Sequence, residues 1–195
     1  MKPNTFYHIY NHANGDENLF RSEENYHYFL QQWAKYIEPV AGTYSYCLMP
    51  NHFHFLVKTQ TLEVLQNLQG LQKERAVENQ ITQAFSNLFN SYSKAFNKLY
   101  DRRGSLFIPN FKRKEISNTK YLTTIVTYIH RNPVHHGIRN KVGDWPFCSY
   151  DAMLSSQSTL LQRKEVQTWY EDAKAYKSSH QMEVRLPDNS LFIDY

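Results

Sequence analysis

The stretch Leu48-Met49-Pro50-Asn51-His52-Phe53-His54-Phe55-Leu56-Val57 decides the fold that this sequence predicts. Side chains alternate between the two faces of a strand, so His52 and His54 share one face and the two phenylalanines share the other. The apolar face predicts a strand anchored in a core. Two neutral imidazoles on one face can share a divalent metal ion. A His-x-His pair also arises by chance, as packed or exposed side chains without a ligand.

Signals for strands and helices alternate on both sides of this stretch. The predicted elements are, in order, a strand at 6–12, a helix that begins after Ser22 and ends at Pro39, strands at 43–49 and 52–58, helices across 62–99 with a break around 78–82, a basic strand at 111–116, a helix from 120 to 131 ended by Asn132-Pro133, and a helix within 160–180. This order predicts an α+β fold with one mainly antiparallel sheet and helices packed on one face. We divide the chain into a domain at 1–154 and a C-terminal helix and arm at 155–195.

The composition permits a nucleic-acid partner without requiring one. The chain of 195 residues is 41% hydrophobic and 15% aromatic, which is enough for a sizeable core with rings left over to stack on bases. Its net charge is +4 and its pI is near 8.9, a mildly basic balance that suits an anionic partner.

The cysteines and the apolar runs indicate the compartment. Cys47 and Cys148 have no metal-ligand spacing, and their apolar neighbours favour small buried residues over a disulfide framework. The first residues do not read as a signal peptide, and no apolar run approaches the length of a membrane helix. We therefore expect a soluble intracellular protein with no membrane partner.

A second pair of polar residues lies on the helix predicted from residue 120. Tyr128 and Asn132 are spaced i, i+4, so they share the flank of its apolar stripe, where a phenol and an amide can face a pocket. They can equally be a packed tyrosine and a helix-ending asparagine. Together with His52 and His54 the set becomes chemically coherent. Two imidazoles and an amide oxygen can hold a metal that polarises a phosphate, and a phenol, with a reference pKa of ~10, can attack that phosphate once activated.

The order of these motifs resembles that of the single-tyrosine HUH transposases, and within them the REP-associated tyrosine transposase branch. The resemblance runs from about Phe6 to Tyr150. The segments that carry it are 7–11, 19–21, 46–57, 103–107, 128–134 and 145–150. The chain departs from that branch at His135 and His136, where a basic and a small residue usually precede the glycine.

The resemblance implies a ferredoxin-like or RRM-like HUH fold and a known chemistry. His52 and His54 would be the metal-binding histidines, Asn132 the third ligand of Mg²⁺ or Mn²⁺, and Tyr128 the nucleophile. The implied activity is that of a DNA transposase, which cuts and joins single-stranded DNA at hairpins or repeats through a 5′-phosphotyrosine. A homodimer, and a cytoplasmic location on the nucleoid when bound to DNA, are also implied.

Basic and aromatic residues predict where DNA binds. The candidates are Arg102, Arg103, Phe107, Lys112, Arg113 and Lys114. The alternative is a solvated basic turn. Lys58 and Arg131 are expected to border the metal site, whereas His8, His12 and His130 are given a structural role.

Two other functions remain open from the sequence. One is a non-catalytic, domesticated protein that binds DNA hairpins on the same scaffold. The other is a metal-dependent nuclease in which water attacks the phosphate and Tyr128 is structural. A covalent protein–DNA adduct would distinguish the transposase chemistry from both.

Overall fold

The computed structural model describes residues 1–69, 74–182 and 184. The strands are β1 (Phe6–His12), β2 (Ala41–Leu48), β3 (His52–Thr59) and β4 (Lys112–Ile116). The helices are α1 (Glu23–Ile37), α2 (Leu62–Gln69), α3 (Glu74–Leu99), α4 (Leu122–His135), α5 (Tyr150–Leu154), α6 (Arg163–Gln167) and α7 (Ala173–Ser179), and a 3₁₀ turn at Thr119–Tyr121 precedes α4. The four strands form one antiparallel sheet in the order β2-β3-β1-β4. The predicted α+β class and antiparallel sheet are confirmed, and the strand order is that of a ferredoxin-like fold.

Helices cover both faces of the sheet, where the sequence predicted one. Phe53 and Phe55 point toward α1 and α3, and the ring of Phe55 stacks on that of Trp33 with 3.5 Å between ring centres. Leu56, which alternates with them on β3, points toward α4 and joins a second apolar cluster with Val126. The second layer arises because α4 follows β4 and folds back against β2 and β3.

The long helix α3 is continuous where the sequence predicted a break. It runs without interruption from Glu74 to Leu99, through the segment 78–82. Apolar residues along it, such as Val77, Ile81 and Phe85, are fully buried in the cluster beneath α1 and α3. This burial stabilises the helix across the polar segment that weakened the pattern. Residues 70–73, which separate α2 from α3, lie outside the described part of the chain.

Helix α4 ends one turn later than predicted, at His135 instead of before Asn132-Pro133, and Gly137 follows its cap. The backbone N–H of Gly137 donates to the carbonyl of Val134, and that of Ile138 donates to the carbonyl of Pro133. Together with the positive φ of 67° at Gly137, these bonds form a Schellman motif. The preference against helical geometry before proline is therefore outweighed here, and Asn132 lies inside the helix.

The C-terminal region packs onto the same sheet. The helix predicted within 160–180 is two short helices, α6 and α7, because Asp172 interrupts the run and accepts a bond from the N–H of Ala175 as the N-cap of α7. Val166 and Tyr176 lie in the cluster beneath α4. The boundary after residue 154 stays a prediction, and most of the predicted arm lies outside the described residues. No helix in the described part is both long and apolar enough to cross a membrane.

Candidate functional site

Strands β1 and β3 bring histidines together on the face beneath α4. Their register places His12 opposite His52 and Tyr10 opposite His54, and opposite residues of antiparallel strands point to the same face. His8 lies on that face as well, because it is two residues before Tyr10 on β1. The rings of His12 and His52 are stacked with 5.8 Å between their centres. The single His-x-His pair of the sequence is thus part of a larger imidazole array.

His52 lies between two amide oxygens. Its Nδ1 is 2.8 Å from Oδ1 of Asn51, and its Nε2 is 3.3 Å from Oδ1 of Asn132. The Nδ2 of Asn132 donates to the backbone carbonyl of Tyr128 at 3.1 Å, which fixes the direction in which the Asn132 oxygen points. A neutral imidazole has one N–H and can donate to only one of the two oxygens. The other oxygen therefore faces a ring nitrogen lone pair.

His54 makes its contact with a histidine that the sequence interpretation treated as structural. Its Nδ1 lies 3.0 Å from Nε2 of His8, and both rings are buried. When the Nδ1–H of His54 donates to His8, the Nε2 of His54 keeps a free lone pair. The Nδ1 of His8 is buried without a hydrogen-bond partner in the described structure. His8 thus orients the ring of His54.

Burial keeps these imidazoles neutral. The pKa of His52 falls to about 3, through burial first and then the neighbouring His136. Burial also lowers the pKa of His54 well below its usual value, with His8 as the next cause. The pKa of His8 falls to about 3, through burial first and then the positive charge of Lys114. Neutral imidazoles offer lone pairs at neutral pH, as metal ligands must.

Helix α4 places Tyr128 and Asn132 over this array. The ring centre of Tyr128 is 5.6 Å from that of His54 and 6.1 Å from that of His8, both in edge-to-face arrangements. Tyr128 is 6% exposed and Asn132 is 1% exposed, so both lie at the interface between α4 and the sheet. The structure thus brings together all four residues that the sequence predicted for the site.

The donor set fits a divalent metal ion at His52 and Asn132. Two ligands bound at about 2.1 Å with an angle of roughly 90–110° lie roughly 3.0–3.4 Å apart, and the Nε2 of His52 is 3.3 Å from the Asn132 oxygen. A cation between them would also relieve the opposed lone pairs. Within the described part of the chain, no three histidine, cysteine, aspartate or glutamate side chains are grouped to hold a metal ion. A metal here would therefore use the amide oxygen of Asn132 as well as the imidazoles.

Strand β4 separates the basic residues predicted for DNA. Lys114 lies opposite His8 and Lys112 lies opposite Tyr10, so both point to the face of the imidazole array. Arg113 lies opposite Ile9, so it points to the other face, where its guanidinium is 5.4 Å from the ring centre of Phe111. The three consecutive cations of β4 therefore lie on two different faces of the sheet.

The other predicted DNA contacts differ in how open they are. Arg103 is exposed on the turn after α3. The Nε of Arg102 donates to a carboxylate oxygen of Glu17 at 2.9 Å, and its other nitrogens donate to Asn97 and to the carbonyl of Ser105. Phe107, which was expected to stack on bases, is 6% exposed and packs among core rings, and its contact with DNA stays a prediction.

Lys58 and Arg131 do not border the candidate metal residues. Lys58 lies four residues from His54 along β3, roughly 13 Å away, and its Nζ is 5.2 Å from the ring centre of Phe6. The guanidinium of Arg131 donates to the carbonyl of His180 at 2.6 Å, on another side of α4. Lys58 shares the sheet face of His54, so distance along β3 separates it from the site, whereas helical periodicity directs Arg131 to another side of α4.

Two histidines that contact the candidate metal residues were not predicted from the sequence to belong to the site. His8 contacts His54 directly, and the ring centre of His136 is 4.8 Å from that of His52. Alternation within β1 was the available signal for His8, since it groups that residue with Tyr10 and His12. The position of His136 depended on the true end of α4, which the proline obscured.

Comparisons with known proteins support the fold. No protein-family model matches the chain, and no curated protein sequence does. A solved structure of the REP-associated tyrosine transposase bound to a REP hairpin is similar to it, with 19% sequence identity and a TM-score of 0.53. The similarity covers 82% of this chain and 85% of that one. The fold that the sequence resemblance implied is therefore the fold of this chain, and it is shared with a REP-associated tyrosine transposase.

Proposed function

We propose that this chain is a metal-dependent transesterase that cuts and joins single-stranded DNA at hairpins or repeats, in the manner of a DNA transposase. The observation that carries the proposal is the placement of Tyr128 over the buried, neutral imidazoles of His8 and His54, with the His52–Asn132 pair beside them. The fold shared with a transposase bound to a REP hairpin supports hairpin DNA as the ligand class. A cytoplasmic location on the nucleoid follows from that substrate.

His52, His54 and Asn132 would hold Mg²⁺ or Mn²⁺. When bound, the ion would polarise the scissile phosphate and neutralise charge that develops in the transition state. Two side-chain contacts prepare the imidazoles for this role: Asn51 accepts the Nδ1–H of His52, and His8 accepts the Nδ1–H of His54. Each contact leaves the Nε2 lone pair free.

Tyr128 acts as the nucleophile. Its phenolic oxygen loses its proton and bonds to phosphorus, while the bond between phosphorus and the 3′ oxygen breaks and that oxygen gains a proton. The products are a 5′-phosphotyrosine and a free 3′-hydroxyl. Attack by such a hydroxyl on the phosphotyrosine reverses the chemistry and joins strands without another energy source. The rigid helix α4 fixes the phenol relative to the phosphate.

DNA would approach over the face that carries Lys112 and Lys114, with Arg103 as a further phosphate contact. This assignment keeps three of the predicted DNA residues on accessible surface. We also propose a homodimer, which the sequence resemblance supports, and sedimentation equilibrium of the purified chain would test it.

The decisive experiment compares the wild type with Tyr128→Phe on a denaturing gel, using labelled hairpin oligonucleotides from the DNA that flanks the gene, with Mn²⁺. We expect a covalent protein–DNA band in the wild type and none in Tyr128→Phe, because phenylalanine has no oxygen to bond to phosphorus. Tyr121→Phe is a matched control, since Tyr121 is 41% exposed at the start of α4 and should leave the band intact.

The other outcomes separate the remaining candidates. Cleavage without a covalent band in the wild type would identify a hydrolytic nuclease and contradict the role of Tyr128. Tight binding of every hairpin without cleavage would favour the non-catalytic DNA-binding protein.

A further inference from the structure

A second cationic surface lies on the side of α4 that faces away from the imidazole array. It is a groove of about 510 Å³ between the last turn of α4, the loop at 138–143 and α7. We call it the α4–α7 groove. The charged, amide and imidazole side chains that line it are Arg131, Asn140, Lys141, Lys177, His180 and Gln181. Its volume is in the range of about 300–1,000 Å³ that is typical of ligand pockets.

The charged residues that line this groove are all basic. Three cations from three separate segments line it, and no aspartate or glutamate is among its described lining residues. Within the described part of the chain, none of Arg131, Lys141 and Lys177 forms an ion pair with a carboxylate. The C-terminal end of α4 contributes only about half a negative charge at one edge. The net field of the groove therefore attracts an anion.

The groove has a fixed wall, because buried hydrogen bonds hold α7 to α4. The Nε2 of His180 lies 2.9 Å from Nδ1 of His130 on α4, and the Nδ1 of His180 lies 2.7 Å from the carbonyl of Tyr176. The Nε2 of His130 in turn lies 2.8 Å from Oγ of Ser149. One proton per ring satisfies this chain: His180 donates to the Tyr176 carbonyl, His130 donates to His180, and Ser149 donates to His130.

Arg131 joins this wall to the helix that carries Tyr128. Its guanidinium donates to the carbonyl of His180 at 2.6 Å, which orients the group at the groove while other N–H groups remain for a ligand. Lys141 and Lys177 are exposed at the rim. The groove thus presents one cation held by a hydrogen bond, Arg131, and two cations on exposed side chains. This arrangement suits a flexible polyanion.

We propose that the α4–α7 groove binds the phosphodiester backbone of the DNA strand whose cleavage is proposed for Tyr128. The groove lies at the end of the same helix, since Arg131 and Val134 line it and the axis rises only roughly 9 Å from Tyr128 to Val134. The inference rests on the proposed function for the identity of the strand. It gives the C-terminal region a role, since α7 supplies one wall of the groove.

The test measures binding of a labelled single-stranded hairpin oligonucleotide in EDTA at several salt concentrations. Lys141→Gln/Lys177→Gln is compared with Lys164→Gln/Lys174→Gln, which removes the same charge from exposed lysines of the C-terminal region that do not line the groove. Loss of two phosphate contacts should reduce the slope of log K against log salt by about 1.4, at ~0.7 per contact on single strands. The control should keep the wild-type slope.

Equal slopes in both double variants would overturn the proposal, whether both fall or neither does. Lys141→Arg/Lys177→Arg, which keeps the charge, should retain the wild-type slope, and a loss there would also contradict a role for charge alone. The covalent-band assay separates this inference from the proposed function. If Lys141→Gln/Lys177→Gln keeps the wild-type slope while the wild type forms the covalent band, only the role of the groove is contradicted. If the slope falls in that variant but the wild type never forms the band, only the proposed transesterase activity is contradicted.

Discussion

The two faces of the sheet are both covered by helices, but they bury different kinds of side chains. Beneath α1 and α3 the buried residues are almost all apolar, with rings such as Phe53 and Phe55 packed against one another. Beneath α4 the apolar cluster is bordered by buried histidines, including His8, His54 and His130. Burying an imidazole costs free energy that burying a phenyl ring does not, unless hydrogen bonds offset it.

This difference makes the face beneath α4 the better candidate for a binding site. The face beneath α1 and α3 is explained by packing alone. The face beneath α4 is not, since His8 has a buried nitrogen with no partner in the described structure, and His52 faces two oxygens with one proton. Polar groups that remain imperfectly satisfied without a ligand are expected at a binding site. Substitutions on each side should therefore separate a structural face beneath α1 and α3 from a chemical face beneath α4.

The largest effects should come from one substitution on each face. His52→Ala should lower the cleavage rate by about a thousandfold, because the metal supplies several kcal/mol at the transition state, while unfolding free energy changes by only about 1 kcal/mol. Phe55→Ala should show the reverse, with a loss of about 3–5 kcal/mol in stability because a fully buried ring leaves a cavity. Its cleavage rate, measured where the variant is folded, should stay within a few fold of wild type.

Cleavage assays with Mn²⁺ and urea unfolding of the same preparations would check both halves. Normal cleavage by His52→Ala would remove the metal assignment. A Phe55→Ala protein that is as stable as wild type would contradict the packing account of its face.

A smaller effect tests whether His8 acts through His54. His8→Ala should weaken metal-dependent activity by about 10–100-fold, seen as a higher Mn²⁺ concentration for half-maximal cleavage, because the ring of His54 loses the partner that fixes its tautomer. His8→Gln keeps a hydrogen-bond acceptor near the same place and should recover part of that loss. A metal dependence identical to wild type in both variants would return His8 to a purely structural role.

The sequence predicted the local elements well because their signals are local. The bounds of β1 and α1 follow from alternation, from the Ser22 cap and from Pro39, and the β2–β3 hairpin follows from the Pro50-Asn51 break. Where prediction failed, a contact distant in sequence or a competing local signal decided the outcome. The end of α4 is set by the Schellman motif at Gly137, which outweighs Pro133.

Spacing and resemblance predicted His52, His54, Tyr128 and Asn132 as one site, and the structure places these four side chains together. The neighbours that orient them were not predicted. The contact of His8 with His54 depends on the register between β1 and β3, which no local pattern specifies. Phe107 and Arg113 show a different lesson. Both lie in a segment of basic and aromatic composition, but the structure buries most of the first, and strand alternation turns the second to the other face.

The pH dependence of stability should come from the histidines beneath α4. Burial lowers the folded-state pKa of His180 to about 4, below its value of about 6.5 in an unfolded chain. The unfolded chain therefore binds the proton more tightly, so this contribution is complete above pH 6.5 and is lost as the pH falls toward 4. His180→Gln should reduce the loss of unfolding free energy between pH 7.5 and 5.5 by about 1 kcal/mol.

Urea unfolding at the two pH values, in EDTA, provides the measurement. His27→Gln, which replaces an exposed histidine on α1, serves as the control and should leave the pH dependence unchanged. If both variants lose the same pH dependence, buried histidines on the α4 face are not its source.

The smallest effect distinguishes the two faces through neighbouring cations of β4. Lys114 points to the imidazole array and Arg113 points to the other face, although they are adjacent in sequence. If DNA lies on the chemical face, Lys114→Gln should reduce the slope of log K against log salt for single-stranded DNA by about 0.7, the value of one phosphate contact. Arg113→Gln removes the same charge one residue away and should leave the slope unchanged. A reduced slope in Arg113→Gln alone would place the DNA beside Phe111, on the face that packing explains, and the division between the faces would then fail at β4.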